Sequence, residues 1–338
     1  MVMNSLQKTK SFLDIFPTPE YLLLSASGVS INDENIRFVK FRRDLMSSCM
    51  QLVHEGKAAV PAGALANGFI QDEVKLATAL SDLATRYGLR YVRATLPEEK
   101  AYLFTVSIEK VPFAGLYDAV AFIIEENVPV SLADSVFDFE VVKEVEDGRK
   151  IKVAVSVLPR KVVETYVSVF EKAGLVPVSF DIESQAIARA ITIRGDKRTQ
   201  LIVNLGKKKT GFYVVEDEVV QFTTTLAFGT TDTDQARSLN ELKMELRKIF
   251  AFWNARVDKR GFPEGHIERV LICGEGALDE KFIKDFMSEI STEFNLADAW
   301  INTDWLKNDH PKGHIFKEGL TYAPAIGLAL PRRQSSYV

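Results

Sequence analysis

Three stretches of the chain decide its fold: GVSINDENIRFVKF at 28–41, LIVNLGKKKTGFYVV at 201–215 and RVLICGEGALDEKFIKDF at 269–286. Each of the first two consists of two apolar runs joined by a polar turn, which predicts a β-hairpin. The third is an apolar run that leads through a glycine-rich turn into the pattern of an amphipathic helix. Strand and helix patterns alternate along the rest of the chain, which predicts a mixed α/β architecture.

Length and composition bound the class of protein. The 338 residues, 46% of them hydrophobic, suffice for a sizeable core and favour two domains. The net charge of -4 argues against nucleic-acid binding, because non-specific affinity needs clustered lysines and arginines that neutralise phosphates. The two cysteines, Cys49 and Cys273, lie far apart without a CxxC pair, so neither a disulfide framework nor a thiolate metal site is expected.

The sequence gives no sign of a membrane-spanning segment. No apolar run approaches the ~20 residues that a spanning helix needs, and the N-terminus lacks the pattern of a signal peptide. We therefore expect a cytoplasmic protein. Residues 5–16, SLQKTKSFLDIF, carry apolar side chains on a loose helical face. This stretch could lie on a membrane surface or pack on its own domain as a terminal arm, which is the commoner arrangement.

Helix boundary signals divide the first half of the chain. Asp72 is placed to cap a helix that ends near Gly88. After a strand at 90–96, the block from 101 to 157 reads strand, helix, strand, strand, with its helix at 113–127. A further helix is expected between Pro159 and Gly174, because proline favours the first helical turn and glycine the position after the last.

In the second half, Asp181 and Glu183 lie where a strand is expected to run into a helix. A long amphipathic helix is expected from Leu239 onward, with one apolar face. A last buried helix is expected at 322–330.

Four further stretches carry a resemblance to a known family: PAGALANGFIQDEVKLATAL at 61–80, VPFAGLYDAVAFIIEENVPVSLADSVFDFEVV at 111–142, PVSFDIESQAIARA at 177–190 and APAIGLAL at 323–330. Together with the hairpins and the glycine-rich turn they resemble the PilM family of type IV pilus assembly proteins, relatives of the cell-division protein FtsA. The resemblance implies an actin-like (ribonuclease H-like) two-domain fold. In that fold the three opening stretches are the first phosphate loop, the second phosphate loop and the adenosine motif.

The resemblance also implies a domain organisation. It comprises an N-terminal arm (1–27), a first actin-like domain (28–100 and 158–196), an inserted SHS2-type module (101–157), a second actin-like domain (197–330) and a tail (331–338). In the family, a block of helices that covers one side of the adenine follows the second phosphate hairpin. Here only residues 227–238 stand before the long helix. We therefore expect a reduced second small subdomain and a cleft that lacks one wall.

The phosphate hairpins depart from the family at the positions that matter for a metal ion. Such hairpins bind anions because successive backbone N–H groups converge in a tight turn. In the family each hairpin also carries an aspartate, which supplies the hard oxygen ligand that Mg²⁺ requires. Here the matching positions are Ser30 and Asn204. The resemblance assigns to this degenerate nucleotide-binding cleft the residues Ser30, Asn32, Asn35, Arg37, Glu183, Asn204, Gly206, Thr210, Gly274, Glu275 and Gly276.

Glu183 and the lysine run of the second hairpin each admit two interpretations. Glu183 could orient a water molecule, as the family counterpart does, or simply be favoured at a helix start by the helix dipole. Lys207, Lys208 and Lys209 could cradle phosphates without a metal or form a solvated hairpin tip, and exposed turns commonly collect such charges.

Other motif matches fail. GKKKTG lacks the leading glycine of a Walker A loop, and in GEGALD Asp279 replaces the third glycine of a dinucleotide fingerprint. His310 and His314 have the spacing of paired zinc ligands, but the intervening PKG interrupts a helix, so both are interpreted as loop residues. No metal site and no catalytic residues are expected.

The resulting functional hypothesis is a non-catalytic cytoplasmic scaffold of a type IV pilus or competence-type apparatus. The resemblance implies a PilN-like single-span inner-membrane protein as partner, whose N-terminal segment would lie in a groove beside the inserted module. It also implies other platform proteins as partners, and self-association is open. The protein would thus be peripheral at the inner face of the membrane. The alternatives are an ATPase of the same fold that binds ATP and Mg²⁺, and an FtsA-like filament-forming division protein. Against the latter, PRRQSSYV directly after the last helix leaves no room for a terminal membrane helix.

Overall fold

A computed structural model describes residues 26–43, 50–145, 148–232, 234–256, 265–303 and 314–332. The expected N-terminal arm up to residue 25, the amphipathic stretch 5–16, His310 and the tail beyond residue 332 lie outside the described residues. The helices are α1 (Glu73–Tyr87), α2 (Phe113–Asn127), α3 (Arg160–Lys172), α4 (Glu183–Ile191), α5 (Gln235–Asn254), α6 (Glu280–Phe286) and α7 (His314–Ala329).

The strands form two large sheets and two small ones. They are β1 (Ser27–Ile31), β2 (Asn35–Arg43), β3 (Met50–Ala59), β4 (Leu65–Ala66), β5 (Phe69–Ile70), β6 (Tyr91–Leu96), β7 (Tyr102–Glu109), β8 (Ser135–Val145), β9 (Lys150–Pro159), β10 (Val176–Ile182), β11 (Gln200–Leu205), β12 (Thr210–Glu216), β13 (Val219–Leu226), β14 (Arg269–Cys273) and β15 (Phe294–Leu296).

The two large sheets repeat one topology. The first has the order β10-β6-β1-β2-β3 and the second β13-β12-β11-β14-β15. In each, the first three strands in sequence are antiparallel and the last two pair in parallel. Helices follow the strands in the same places in both halves. We call the two halves lobe 1 and lobe 2. The architecture confirms the mixed α/β fold that the alternating strand and helix patterns predicted.

The block that interrupts lobe 1 forms a separate sheet. It runs β7, α2, β8, β9, the order expected from the sequence, and its strands pair as β7-β9-β8. Side chains of α2, of the residue that follows it and of the sheet form a separate core, which consists of Leu116, Val120, Ile124, Val128, Ile151, Val153, Val155 and Val157. We call this unit the module. The domain boundaries given above stay a prediction.

Helices α4 and α7 pack against each other between the two lobes and share a hydrophobic core with lobe 2, which Val39 and Phe41 of lobe 1 join. Their packing depends on glycine. A Cβ on Gly327 would stand 1.8 Å from the Ala186 carbonyl oxygen, and one on Gly28 would stand 1.9 Å from that of Ala325. The backbones of α4, α7 and β1 thus touch directly.

Local signals account for several boundaries. The Asp72 side chain accepts a hydrogen bond from the Lys75 N–H at 3.0 Å, and Gly88 ends α1 in the left-handed conformation with φ 60°. Two expectations about helix starts need correction. Helix α7 begins at His314, so His314 is not a loop residue, and α5 begins at Gln235, where Asp234 caps it.

Candidate functional site

The three opening stretches meet at one cleft between the lobes. The tips of the β1–β2 and β11–β12 hairpins and the turn after β14 line a cavity of about 150 Å³. Lobe 1 also contributes the 3₁₀ turn Glu98–Lys100, and α4 contributes its first residue, Glu183.

Eight of the eleven residues expected at this site line the cavity, namely Ser30, Asn32, Arg37, Glu183, Asn204, Gly206, Gly274 and Glu275. The other three lie behind it. Asn35 pairs with Ala59 of β3, Thr210 is buried with its hydroxyl donating to the Phe228 carbonyl at 2.9 Å, and Gly276 lies against Leu205 and Thr230. These three support the turns rather than face the cleft.

The tip of the first hairpin is closed by its own asparagine. The Asn32 Oδ1 accepts hydrogen bonds from the N–H groups of Glu34 at 3.0 Å and Asn35 at 2.8 Å. Asparagine forms such turns readily because its side chain mimics a backbone carbonyl. The two amides that a phosphate loop would direct at an anion therefore already have an acceptor inside the protein.

The turn after β14 is held by the last helix. Gly274 has φ 92°, and a Cβ there would stand 2.5 Å from the Leu205 carbonyl oxygen, so only glycine fits. Its N–H donates to the Leu320 carbonyl at 2.9 Å. That carbonyl is free to accept because Pro324, four residues later in α7, has no N–H to offer it. The proline inside α7 thus leaves a carbonyl group available to hold the turn that lines the cleft.

Ion pairs cross the cleft between the two hairpin tips. Lys209 Nζ lies 2.5 Å from Asp33 Oδ2 and 2.6 Å from Glu99 Oε1, and Lys208 Nζ lies 2.8 Å from Glu34 Oε1. Burial opposes charge at Lys209, yet the hydrogen bonds to Asp33 and Glu99 raise its pKa. Lys209 is therefore not a solvated tip residue, whereas the Lys208 side chain is 72% exposed.

A fourth cross-cleft pair lies deeper. Arg37 of β2 donates to Glu275 of the turn after β14, and the Arg37 side chain is buried. Lys207 lies 3.4 Å from the other oxygen of Glu275. Every basic side chain lining the cavity in the described part of the chain is thus paired with a carboxylate.

Tyr213 fills the floor of the cleft. Gly211 and Tyr213 lie two residues apart on β12 and so point to the same face of the sheet. A Cβ added to Gly211 would stand 2.1 Å from the Tyr213 hydroxyl, so the tyrosine side chain occupies the space over the glycine. The hydroxyl is hydrogen-bonded with Asn204, and burial raises its pKa well above the ordinary value. Tyr213 was missed as a site residue, and the small Gly211 two positions before it is the one local signal that could have indicated it.

Glu98, which is buried, and Glu183, which is half-buried, face the same space. Burial raises the pKa of Glu183 to about 8, and the carboxylates of Glu98 and Glu99 raise it further. Burial raises the pKa of Glu98 to about 7, and the carboxylate of Glu99 adds to this. Glu98 accepts from the N–H and the hydroxyl of Ser184, both at 2.9 Å. Glu98, Glu99, Asp33 and Glu34 were missed as site residues, because a charged stretch at a turn looks like ordinary surface until the lobes are placed.

Two absences among the described residues bear on chemistry. No group of three His, Cys, Asp or Glu side chains in that part of the chain is arranged to hold a metal ion. None of the helices described there is long and apolar enough to cross a membrane.

Comparison with known proteins agrees with this architecture. The fold is similar to that in a structure titled PilM-PilN type IV pilus biogenesis complex, with a TM-score of 0.74, 19% identity, and coverage of 90% of this chain and 98% of that one. It is also similar to the ethanolamine utilization protein EutJ from Carboxydothermus hydrogenoformans, with a TM-score of 0.50, 14% identity, and coverage of 90% and 88%. No curated protein matches the sequence.

Two lobes built on one repeated sheet, with three turns facing the cleft between them, define an actin-like protein. Within that class, residues 28–245 match the sequence family described as type IV pilus assembly protein PilM. The chain belongs to this family.

Proposed function

We propose that this protein is a non-catalytic scaffold of a type IV pilus or competence-type assembly platform that docks the N-terminal segment of a PilN-like inner-membrane protein. Membership of the PilM family supports the pilus assembly role. The likeness to the chain in the PilM–PilN complex, 98% of which is covered, supports a PilN-like partner. Attachment to the cytoplasmic face of the membrane would then come through that partner. Binding to other platform proteins and self-association are further parts of this proposal.

One observation carries the non-catalytic part. At the two positions where the fold places metal-orienting carboxylates, Ser30 and Asn204 offer neutral oxygens, and both line the cleft. Mg²⁺ usually requires one or two carboxylates or their bound waters. The surroundings support this. The tip amides already donate hydrogen bonds to Asn32, and the lysines already form ion pairs with carboxylates. The residues present therefore do not fit a magnesium nucleotide.

The test of this part is a direct assay with nucleotide. Titration calorimetry with ATP and Mg²⁺ is expected to give no measurable heat of binding, and phosphate release is expected to equal that of buffer. Losing even one charge-stabilising group commonly costs ~3 kcal/mol in a transition state. Asn204→Ala serves as the control for contamination. Micromolar affinity, or steady phosphate release that Asn204→Ala eliminates, would show a working ATPase instead.

The test of the scaffold part is co-purification. The full chain is co-expressed with the tagged N-terminal segment of the PilN-like protein encoded nearby, and a scrambled segment serves as the control. We expect retention on the authentic segment alone, with or without added ATP. Equal retention on both segments, or none on either, would remove the partner from the proposal.

A further inference from the structure

The two lobes share a packed core at the base of the cleft. At its mouth, by contrast, the lobes meet through the side chains of their hairpin tips and of the adjacent 3₁₀ turn. At the base, α4 and α7 share one continuous core with lobe 2 and with Val39 and Phe41 of lobe 1. This packing can act as a hinge, because the lobes could still separate at the hairpin tips by a small rotation about it. Something at the mouth must then hold them together.

Three surface lysine and acid contacts cross the mouth. Lys209 binds Asp33 and Glu99, Lys208 binds Glu34, and each lysine lies on lobe 2 while each acid lies on lobe 1. Deeper in the cleft, Arg37 and Glu275 join the lobes in the same way. The carboxylates of Asp33 and Glu99 are only about a quarter exposed, as is Lys209. The Lys209 ammonium lies between these carboxylates as a counter-ion fixed to the chain.

The module supplies a second tie to lobe 2. Lys143 of β8 and Lys152 of β9 lie 2.5 Å and 3.2 Å from the two oxygens of Glu216, a buried residue of β12. The Thr105 hydroxyl of β7 also contacts Gln221 of β13 at 3.3 Å. Burial opposes charge at Glu216, but the two lysines keep its pKa below the ordinary value. The module therefore reaches across from its place in lobe 1 to the far lobe.

We propose that these two sets of contacts, the mouth pairs and the module tie, lock the lobes in one closed arrangement without any nucleotide. The lock rests on the proposed function in one respect, since it assigns the cleft to internal ion pairs instead of ATP. In a nucleotide-binding relative of this fold, a metal and phosphates would bridge the lobes. Here the Lys209 ammonium would replace the metal ion as the bridging cation, and the carboxylates of lobe 1 would replace the phosphates as the bridging anions. The module is thereby presented to its partner in one fixed orientation.

The physical argument is that several weak pairs act together. A single exposed ion pair contributes little and is screened by salt. The mouth pairs, however, all depend on the same closure, so that opening breaks them at once. Opening would also leave Glu216 partly desolvated without its lysines, which is unfavourable for a buried charge.

The test is amide hydrogen exchange at the two hairpin tips of the full chain without nucleotide. Lys209→Met removes two pairs at once. Lys172→Met is the matched control, because Lys172 binds Glu73 at 2.5 Å entirely within lobe 1. Exchange of the Asn32 and Gly206 amides is expected to rise about tenfold in Lys209→Met, as the open state becomes more populated, and to stay unchanged in Lys172→Met.

A charge swap separates closure from local loosening. Lys208→Glu alone places like charges together at Glu34 and should speed exchange at both tips, whereas Lys208→Glu with Glu34→Lys should restore the wild-type rate. For the module tie, Lys143→Met should speed exchange at the tips by a smaller factor.

Unchanged exchange in both Lys209→Met and Lys208→Glu, with the denaturation midpoint unaltered, would overturn the lock. ATP turnover by the wild-type chain would instead overturn the proposed function and leave this result standing.

Discussion

At residue scale, the proposed absence of nucleotide binding rests on more than the two hairpin positions that lack an aspartate. Ser30 and Asn204 are neutral, but Asn32 also closes the tip of the first hairpin, and Tyr213 occupies the floor beside Asn204. Each of these changes acts on a different part of a bound nucleotide: its metal, its phosphates and the space it needs. Reversing one of them leaves the others in place.

Restoring both carboxylates is therefore expected to leave the protein inactive. In Ser30→Asp with Asn204→Asp, the metal-facing charges return, but they join a cleft already rich in acids and without a free lysine in its described lining. Steady-state phosphate release should stay at the buffer rate and calorimetry should show no binding. Hydrolysis by this double variant at the rate of an intact relative would show that the two aspartates alone decide activity.

Glu183 is expected to make stability depend on pH. Its pKa in the folded protein is raised to about 8 by burial, against 4.5 ordinarily, so the folded state keeps a proton that the unfolded state releases. The resulting stabilisation is complete below pH ~4.5 and is lost as pH rises through about 8. Glu183→Gln mimics the protonated form, so it should be close to wild type in urea at pH 5 and exceed it by ~2–4 kcal/mol at pH 8.5. An equal difference at both pH values would contradict this.

At the scale of elements, α7 organises the cleft from behind. Its Pro324 leaves the Leu320 carbonyl for the Gly274 N–H, and its Gly327 allows contact with α4. Both residues look unfavourable in a helix considered alone, since proline and glycine are poor helix formers. Each residue lowers the intrinsic stability of the helix, but each also permits a contact outside the helix that offsets this loss.

The contact at Gly327 can be tested by adding one methyl group. Gly327→Ala places a Cβ against the Ala186 carbonyl oxygen and should force α4 and α7 apart, at a cost of ~1–3 kcal/mol in the free energy of unfolding. Gly115→Ala in α2 is the matched control, because no atom lies within 4 Å of its added Cβ. The control should be neutral or stabilising by ~0.5–1 kcal/mol, as alanine favours helices. Urea unfolding measures both, and equal effects would refute the close-contact explanation.

At the scale of the whole molecule, the repeat shows that the module is an addition. In lobe 2, β14 ends at Cys273 and α6 begins at Glu280 after a short turn. In lobe 1, the equivalent strand β6 ends at Leu96 and the equivalent helix α3 begins at Arg160, with the module between them. The lobe can therefore close its sheet without the module, which has a core of its own.

Removing the module is expected to abolish partner capture while lobes 1 and 2 stay folded. A variant in which a short glycine-serine linker replaces residues 101–157 should keep a cooperative urea transition. It should lose co-purification with the PilN-like segment, because extended peptides commonly bind at strand edges and the grooves beside them. Undiminished retention by the folded deletion variant would place the partner site on the actin-like core.

The sequence by itself determined the two hairpins, the order of elements in the module and several helix limits. Hairpin turns, the Asp72 cap and the glycine after α1 act over a few residues, so they can be recognised without the rest of the chain. The same holds for Ser30 and Asn204, whose positions within their hairpins follow from local spacing.

Only the tertiary structure decided what the cleft contains. Lys209 meets Asp33 and Glu99 across sequence separations of 176 and 110 residues, and Pro324 acts through the Leu320 carbonyl, which holds Gly274 in the turn after β14. Nothing near these residues in sequence records their partners, because an ion pair or a freed carbonyl depends on where the packed lobes place it. A lysine run at a turn has the same local pattern whether water or a facing lobe neutralises it.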